Sequence, residues 1–180
     1  MPLTALSDAD RPALIPLDRF RWLAAYDDLA DGCGCYACDA FVDYEAEAVQ
    51  CYEALSGNVP AAAGWFLHPS IEFFGATPDR LLDHDGLVEV KCPSTVKFIQ
   101  WRKDGRIPDE HIPQMLAQLA VTRRRYVDFV AYDPRINDAR FRLFVRRFEP
   151  TAEQIAQCEQ QARDFLAEVE TLFQCFTEAA

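Results

Sequence analysis

No apolar run in the chain approaches the roughly 18 residues needed to span a bilayer, and its first ten residues carry acid rather than the basic region of a secretory leader. A membrane anchor and export are therefore not expected, and the reading is of a soluble, cytoplasmic protein. The chain shows no internal repeat and no low-complexity tract, which excludes solenoid and fibrous architectures. Of seven cysteines, an odd number, Cys51, Cys92, Cys158 and Cys175 are scattered, so a disulfide framework is not expected either. Cys33, Cys35 and Cys38 share a Gly-containing loop and are the one group with zinc or iron–sulfur potential, although no fourth ligand stands at a usual spacing.

Net positive charge is also missing. At −11 over 180 residues the chain is acidic, which at first argues against a polyanionic partner. Charge acts locally, however, within about a Debye length of 10 Å. Residues 91–147 hold 13 of the 18 basic side chains and 6 acids, so this stretch is +7 and the remainder −18. One expectation is a basic surface on an acidic body; the other is that clusters such as Arg123, Arg124 and Arg125 or Arg146 and Arg147 are simply solvated.

A length of 180 residues suits one domain with a genuine core. Residues 1–40 form an expected N-terminal segment, with a short helix over Leu17–Leu29 and the Cys/Gly loop Asp31–Asp39; the core spans 41–180. A helix is predicted over Asp43–Leu55, stopped at Ser56-Gly57-Asn58, and Gly64–Phe74 reads as extended or irregular. A hairpin follows, with arms Gly75–Leu82 and Leu87–Lys91 around the turn Asp83–Gly86. A linker or helix containing Trp101 leads to Asp104-Gly105. Ile112–Thr122 is a helix with Pro113 in its first turn. Strands are predicted at Tyr126–Tyr132 and Arg140–Phe148. Thr151 and Gln154 form a capping box for a long last helix with its apolar stripe from Ile155 to Phe176. The order of elements indicates a mixed α/β domain.

Chemistry concentrates on the hairpin. Side chains alternate along a strand, so Leu87, Glu89 and Lys91 share one face while Val88 and Val90 share the other. Asp79, just after Pro78, approaches from the preceding arm. Two carboxylates and an amine then converge, a set suited to holding a hard divalent cation and activating water against a phosphodiester. The alternative for Glu-x-Lys alone is an amphipathic surface hairpin with a solvated ion pair. Glu45 falls inside the apolar arc marked by Ala48, Val49, Cys51, Tyr52 and Leu55, and a charge aimed inward needs a metal, an arginine or a lysine as its partner. Gln114 and Gln118 lie opposite Met115, Leu116 and Leu119, either solvated or orienting water and phosphate in the site.

Taken in order, Tyr44-Glu45, Tyr52-Glu53, Ser56-Gly57, Pro78-Asp79, Leu87-Val88-Glu89-Val90-Lys91-Cys92-Pro93, Gln114, Val121-Thr122 and Tyr132-Asp133-Pro134-Arg135 resemble the PD-(D/E)xK nuclease superfamily. Within it, the resemblance is to the phage lambda exonuclease and YqaJ-like viral recombinase family, over residues 41–176. It implies a restriction-endonuclease-like α/β core, a central mixed sheet flanked by helices. It also implies a magnesium-dependent 5′–3′ exodeoxyribonuclease that acts on linear duplex ends, releases mononucleotides and exposes a 3′ strand for phage-type recombination. Asp79, Glu89 and the Val90 carbonyl would hold one Mg²⁺; Asp79 and Glu45 would hold a second, with Mn²⁺ as a substitute. Lys91 would activate the attacking water with Gln114 in support. Arg102, Lys103, Arg106, Arg123, Arg124 and Arg135 are the candidate DNA contacts. The implied partners are duplex DNA ends, two further copies in a trimeric ring and a single-strand annealing protein, in the cytoplasm of a bacterial host of a phage or prophage. The chain departs from the family in lacking its Arg-Gly and Thr-Ala-Ser motifs before the first helix, for which Arg19 and Arg21 stand as substitutes. Two rival expectations are a DNA-binding or assembly protein that keeps the fold without cutting, and a nuclease with a cysteine-held cluster.

Overall fold

The computed structural model describes residues 36–178, with side chains described over 44–175. The expected helix at Leu17–Leu29, Arg19, Arg21 and the side chains of Cys33, Cys35 and Cys38 lie outside the described residues.

The first described helix, α1, runs Tyr36–Ser56, so the tail of the expected loop, residues 36–39, is helical instead. Gly57 ends it in the left-handed conformation at φ 73°, donating its N–H to the Glu53 carbonyl. Short strands follow: β1 (Ala61–Ala62), β2 (Phe66–Leu67), β3 (Gly75–Ala76), β4 (Arg80–Leu82), then the longer β5 (Gly86–Lys91). The expected first hairpin arm is thus divided. Gly75–Ala76 pairs with Phe66–Leu67 in a separate ribbon, and only Arg80–Leu82 pairs with β5. Pro78, with no N–H to give a ladder, stands at the break.

α2 (Thr95–Asp104) is capped by the Ser94 hydroxyl, which accepts from Lys97 N at 3.5 Å, and by Gly105 in the left-handed conformation. α3 occupies Ile112–Thr122, as predicted, after a 3₁₀ turn at Asp109–His111. β6 (Tyr126–Tyr132) also falls where expected. β7 begins later than predicted, at Leu143, because Ala139–Phe141 closes into a 3₁₀ turn capped by Asp138. α4 (Ala152–Glu178) opens with the reciprocal capping box of Thr151 and Gln154.

The main sheet has the order β1-β4-β5-β6-β7, with β5 and β6 parallel and the other pairs antiparallel. β5 lies in the middle and all six of its residues are buried. Its alternation sorts side chains between two layers. Val88 and Val90 pack with Val130 and Tyr132 against Ala48, Val49 and Tyr52 of α1. On the opposite face Leu87 joins Val127, Phe129 and Phe144 under Phe98 and Trp101 of α2 and Met115 and Leu119 of α3. α4 packs outside α3, where Cys158 and Ala162 meet Ala117, Ala120 and Val121. The architecture is a central mixed sheet flanked by helices.

A strand so enclosed is not a solvated surface hairpin. Fully burying each valine or leucine of β5 contributes on the order of 1.5–3 kcal/mol, and the polar residues among them must find partners.

Candidate active site

Continuing the β4–β5 register one step past the pair Arg80↔Val88 sets Asp79 opposite Glu89. Asp79 is fixed there by the Val90 N–H, which donates to its Oδ2 at 2.7 Å. Two carboxyl groups are held side by side, Glu89 buried and Asp79 half-buried. Burial, followed by the Glu89 charge, pushes the Asp79 carboxyl well above its ordinary range, against the opposing pull of the Val90 N–H and Lys91.

Glu89 is 1% exposed and is met by three donors. Lys91 Nζ lies 2.8 Å from Oε1, Gln114 Nε2 donates to the same oxygen, and Gln118 Nε2 donates to Oε2 at 2.6 Å. Gln114 and Gln118 stand one turn apart on α3, so their amides grip both oxygens of one carboxylate. The solvated reading of these glutamines is excluded. Gln118, 1% exposed, was not among the predicted site residues; its Oε1 is buried with no hydrogen-bond partner among the described residues. A polar group amid Ala117, Leu119 and Ala120 was the signal that could have found it, since such a group demands a partner.

Glu45 points toward this region from α1, but its carboxylate pairs with Arg80 Nη1 at 2.9 Å. The arginine partner considered from the sequence is therefore the one observed. Arg80 Nη1 also donates to the Asp79 main-chain carbonyl at 2.6 Å. Glu45 still adds to the upward push on Asp79.

Among the described residues no three carboxylate, imidazole or thiolate groups close into a metal cage. The pair at Asp79 and Glu89 is instead a hard-oxygen set of the kind that suits Mg²⁺, which uses one or two carboxylates and keeps much of its water. Two crowded carboxyls, one driven toward its neutral form, are what a divalent cation would relieve. The residues fit the ion.

The predicted DNA contacts divide by what they touch. Arg124 Nη1 donates to the carbonyls of Leu82, Asp83 and Gly86, clamping the β4–β5 turn. Arg123 binds Glu159 at 2.7 Å beside His68. Arg135 bonds Asp133 and the Pro93 carbonyl, and Arg102 bonds the carbonyls of Phe141 and Leu143. Arg106 pairs with Asp109, and Lys103 is exposed on α2.

Neighbouring strands of a mixed sheet thus bring an aspartate, a glutamate and a lysine together over a helix supplying glutamine, the set expected from the PD-(D/E)xK resemblance. A family model described as the YqaJ-like viral recombinase domain matches residues 42–125, which include Glu45, Asp79, Glu89, Lys91 and Gln114. Among solved structures, LHK-Exo in complex with dAMP is 30% identical, with a TM-score of 0.78 over 98% of this chain and 87% of that one. A structure of this alkaline exonuclease from Laribacter hongkongensis is 28% identical, with a TM-score of 0.78 over 95% and 90%. A phage-related exonuclease from Haemophilus somnus 129PT, 15% identical with a TM-score of 0.60 over 94% and 89%, shares the fold. No curated protein matches the chain. The chain belongs to the YqaJ-like viral recombinase family, among the alkaline exonucleases of the lambda exonuclease type, and is a nuclease by that membership.

Proposed function

We propose that this protein is a magnesium-dependent exodeoxyribonuclease that digests linear duplex DNA from the 5′ end, releases mononucleotides and leaves a 3′ strand for recombination by annealing. The observation that carries this reading is the Asp79–Glu89 pair, its glutamate buried, with the Lys91 ammonium 2.8 Å from Glu89. The nucleotide bound to LHK-Exo, dAMP, is of the class such a reaction would release.

Asp79, Glu89 and the Val90 carbonyl are the groups to hold one Mg²⁺, and Asp79 with Glu45 the second; Mn²⁺ should serve in their place. When bound, the cation neutralises charge developing on the phosphoryl oxygens. Lys91 Nζ, as an ammonium, would position the attacking water beside Glu89 and favour its loss of a proton to solvent. Gln114 and Gln118 keep the Glu89 carboxylate from rotating out of line. Glu45 would hold that second ion in place of Arg80, with which it pairs at 2.9 Å. Family membership supports a trimeric ring, an annealing protein as partner and work inside a bacterial cell, with residues 41–180 as the catalytic core.

The test is a digestion time course on linear duplex, labelled at either the 5′ or the 3′ end, beside the same sequence as a closed circle. With Mg²⁺, early release of the 5′ label and an intact circle are expected. Cutting of the circle, or early loss of the 3′ label, would overturn end-dependence or polarity. No soluble nucleotide at high protein concentration would favour the non-cleaving DNA-binding reading.

A further inference from the structure

Residues 133–142 connect β6 to β7, and residues 140–142, expected as strand, belong to this connection. β5 and β6 run parallel with Lys91 aligned to Ala131, so this connection emerges at the same end of the sheet as Lys91. Arg135 ties it there, its Nη2 donating to the carbonyl of Pro93, two residues beyond Lys91, at 2.6 Å. β7 is two strands from β5, on the order of 10 Å across the sheet.

The connection displays an aromatic ring among cations. Phe141 is 48% exposed, with the Arg102 guanidinium 5.2 Å and the Arg140 guanidinium 5.6 Å from its ring centroid. The group is built rather than loose. Arg102 donates to the carbonyls of Phe141 and Leu143, while Asp138 holds Arg140 through both carboxylate oxygens and also takes its backbone N–H. Arg140 nevertheless remains 82% exposed. Nearby, Arg142 bonds the Ile136 carbonyl, and Arg146 bonds the Gly105 carbonyl and lies 4.7 Å from the Phe144 ring centroid. The partners of Arg102, Arg142 and Arg146 named here are carbonyls and rings, which fix the side chains without cancelling their charge. All of this lies in the stretch that is +7 in an otherwise acidic chain.

Flat aromatic and guanidinium surfaces engage the faces of nucleobases, and a duplex hides those faces in its own stack. Release of a mononucleotide from an end requires the terminal nucleotide to leave its complement. We propose that Phe141, with Arg102 and Arg140, forms a stacking platform for unpaired nucleotides of the DNA end being processed at the Asp79–Glu89 site. The proposal rests on the nuclease reading above. Arg102 and Arg140 supply cation–π character, and Arg142 and Arg146 attract the backbone.

Binding is measured in EDTA, so that nothing is cut, against a single-stranded oligodeoxynucleotide containing 2-aminopurine and against the duplex of the same sequence. Phe141→Ala should weaken single-strand binding about tenfold and abolish the fluorescence quenching of the stacked base, while duplex affinity changes less than about twofold. Phe141→Tyr should retain both properties, and Arg140→Gln should lose part of the affinity. Single-strand affinity unchanged in Phe141→Ala, or single-strand and duplex affinity falling equally, would overturn the platform. Digestion of linear duplex with Mg²⁺ is scored separately. A wild-type protein that cuts while Phe141→Ala binds normally refutes the platform alone; one that binds through Phe141 yet releases no nucleotide refutes the nuclease reading alone.

Discussion

Asp79 is the residue whose environment is least comfortable without a cation. Because burial and Glu89 raise its carboxyl, the folded chain binds this proton more tightly than the unfolded chain does. The resulting cost to stability is absent below the ordinary carboxylate value near pH 4, grows as pH rises above it and is complete above the folded-state value. In chelator, Asp79→Asn is therefore expected to raise the melting temperature at neutral pH, with the gain vanishing toward pH 4. Added Mg²⁺ should stabilise the wild type by mass action but not this variant. Equal melting temperatures of the two proteins at neutral pH without metal would contradict the crowding of the two carboxyls. Gln118 gives a second test. Gln118→Leu removes a donor from a buried carboxylate and should cost about 1–3 kcal/mol in thermal melts, together with slower digestion. Undiminished stability and rate would show that Glu89 does not depend on it.

At the scale of elements, legibility followed how local the determining interaction was. α3 and β6 were placed to the residue, since Pro113 and the apolar, β-branched run Tyr126–Tyr132 act through neighbours in sequence. Strand alternation also set Glu89 beside Lys91. What escaped was decided across the chain. Glu45 could be aimed inward from α1, yet only the packing of α1 beside β4 sets Arg80 against it. Gln118 was left undecided between solvent and site, because nothing local distinguishes a helix face open to water from one laid over a strand carrying Glu89. The first hairpin arm was drawn too long because pairing with the distant Phe66–Leu67 takes Gly75–Ala76 away.

The β4–β5 turn depends on two contacts that such reading cannot supply. Arg124 grips three of its carbonyls, and a Cβ on Gly86 would stand 2.5 Å from the Tyr126 ring. Gly86→Ala is expected to cost about 1–3 kcal/mol by overpacking. Arg124→Ala should destabilise by a similar 1–3 kcal/mol. If instead Arg124→Ala leaves denaturant midpoints unchanged and weakens only DNA binding, its part is at the DNA and not in the turn.

At the scale of the molecule, the proposed function has an acidic chain engage a polyanion through one basic segment, residues 91–147. DNA affinity should accordingly fall linearly on logarithmic axes as salt rises, with a slope set by the few phosphates that segment reaches. Salt-independent binding would be at odds with it. The mixed sheet enables this economy by bringing Asp79, Glu89 and Lys91 to one place while directing the β6–β7 connection to the same end. The central claim is that this trio performs the hydrolysis. The most direct measurement is release of nucleotides from linear duplex by Lys91→Ala, with Mg²⁺, beside a wild type matched for melting temperature and DNA affinity. The account predicts a folded, DNA-binding protein whose rate drops by at least about 10²-fold; digestion at the wild-type rate would contradict it.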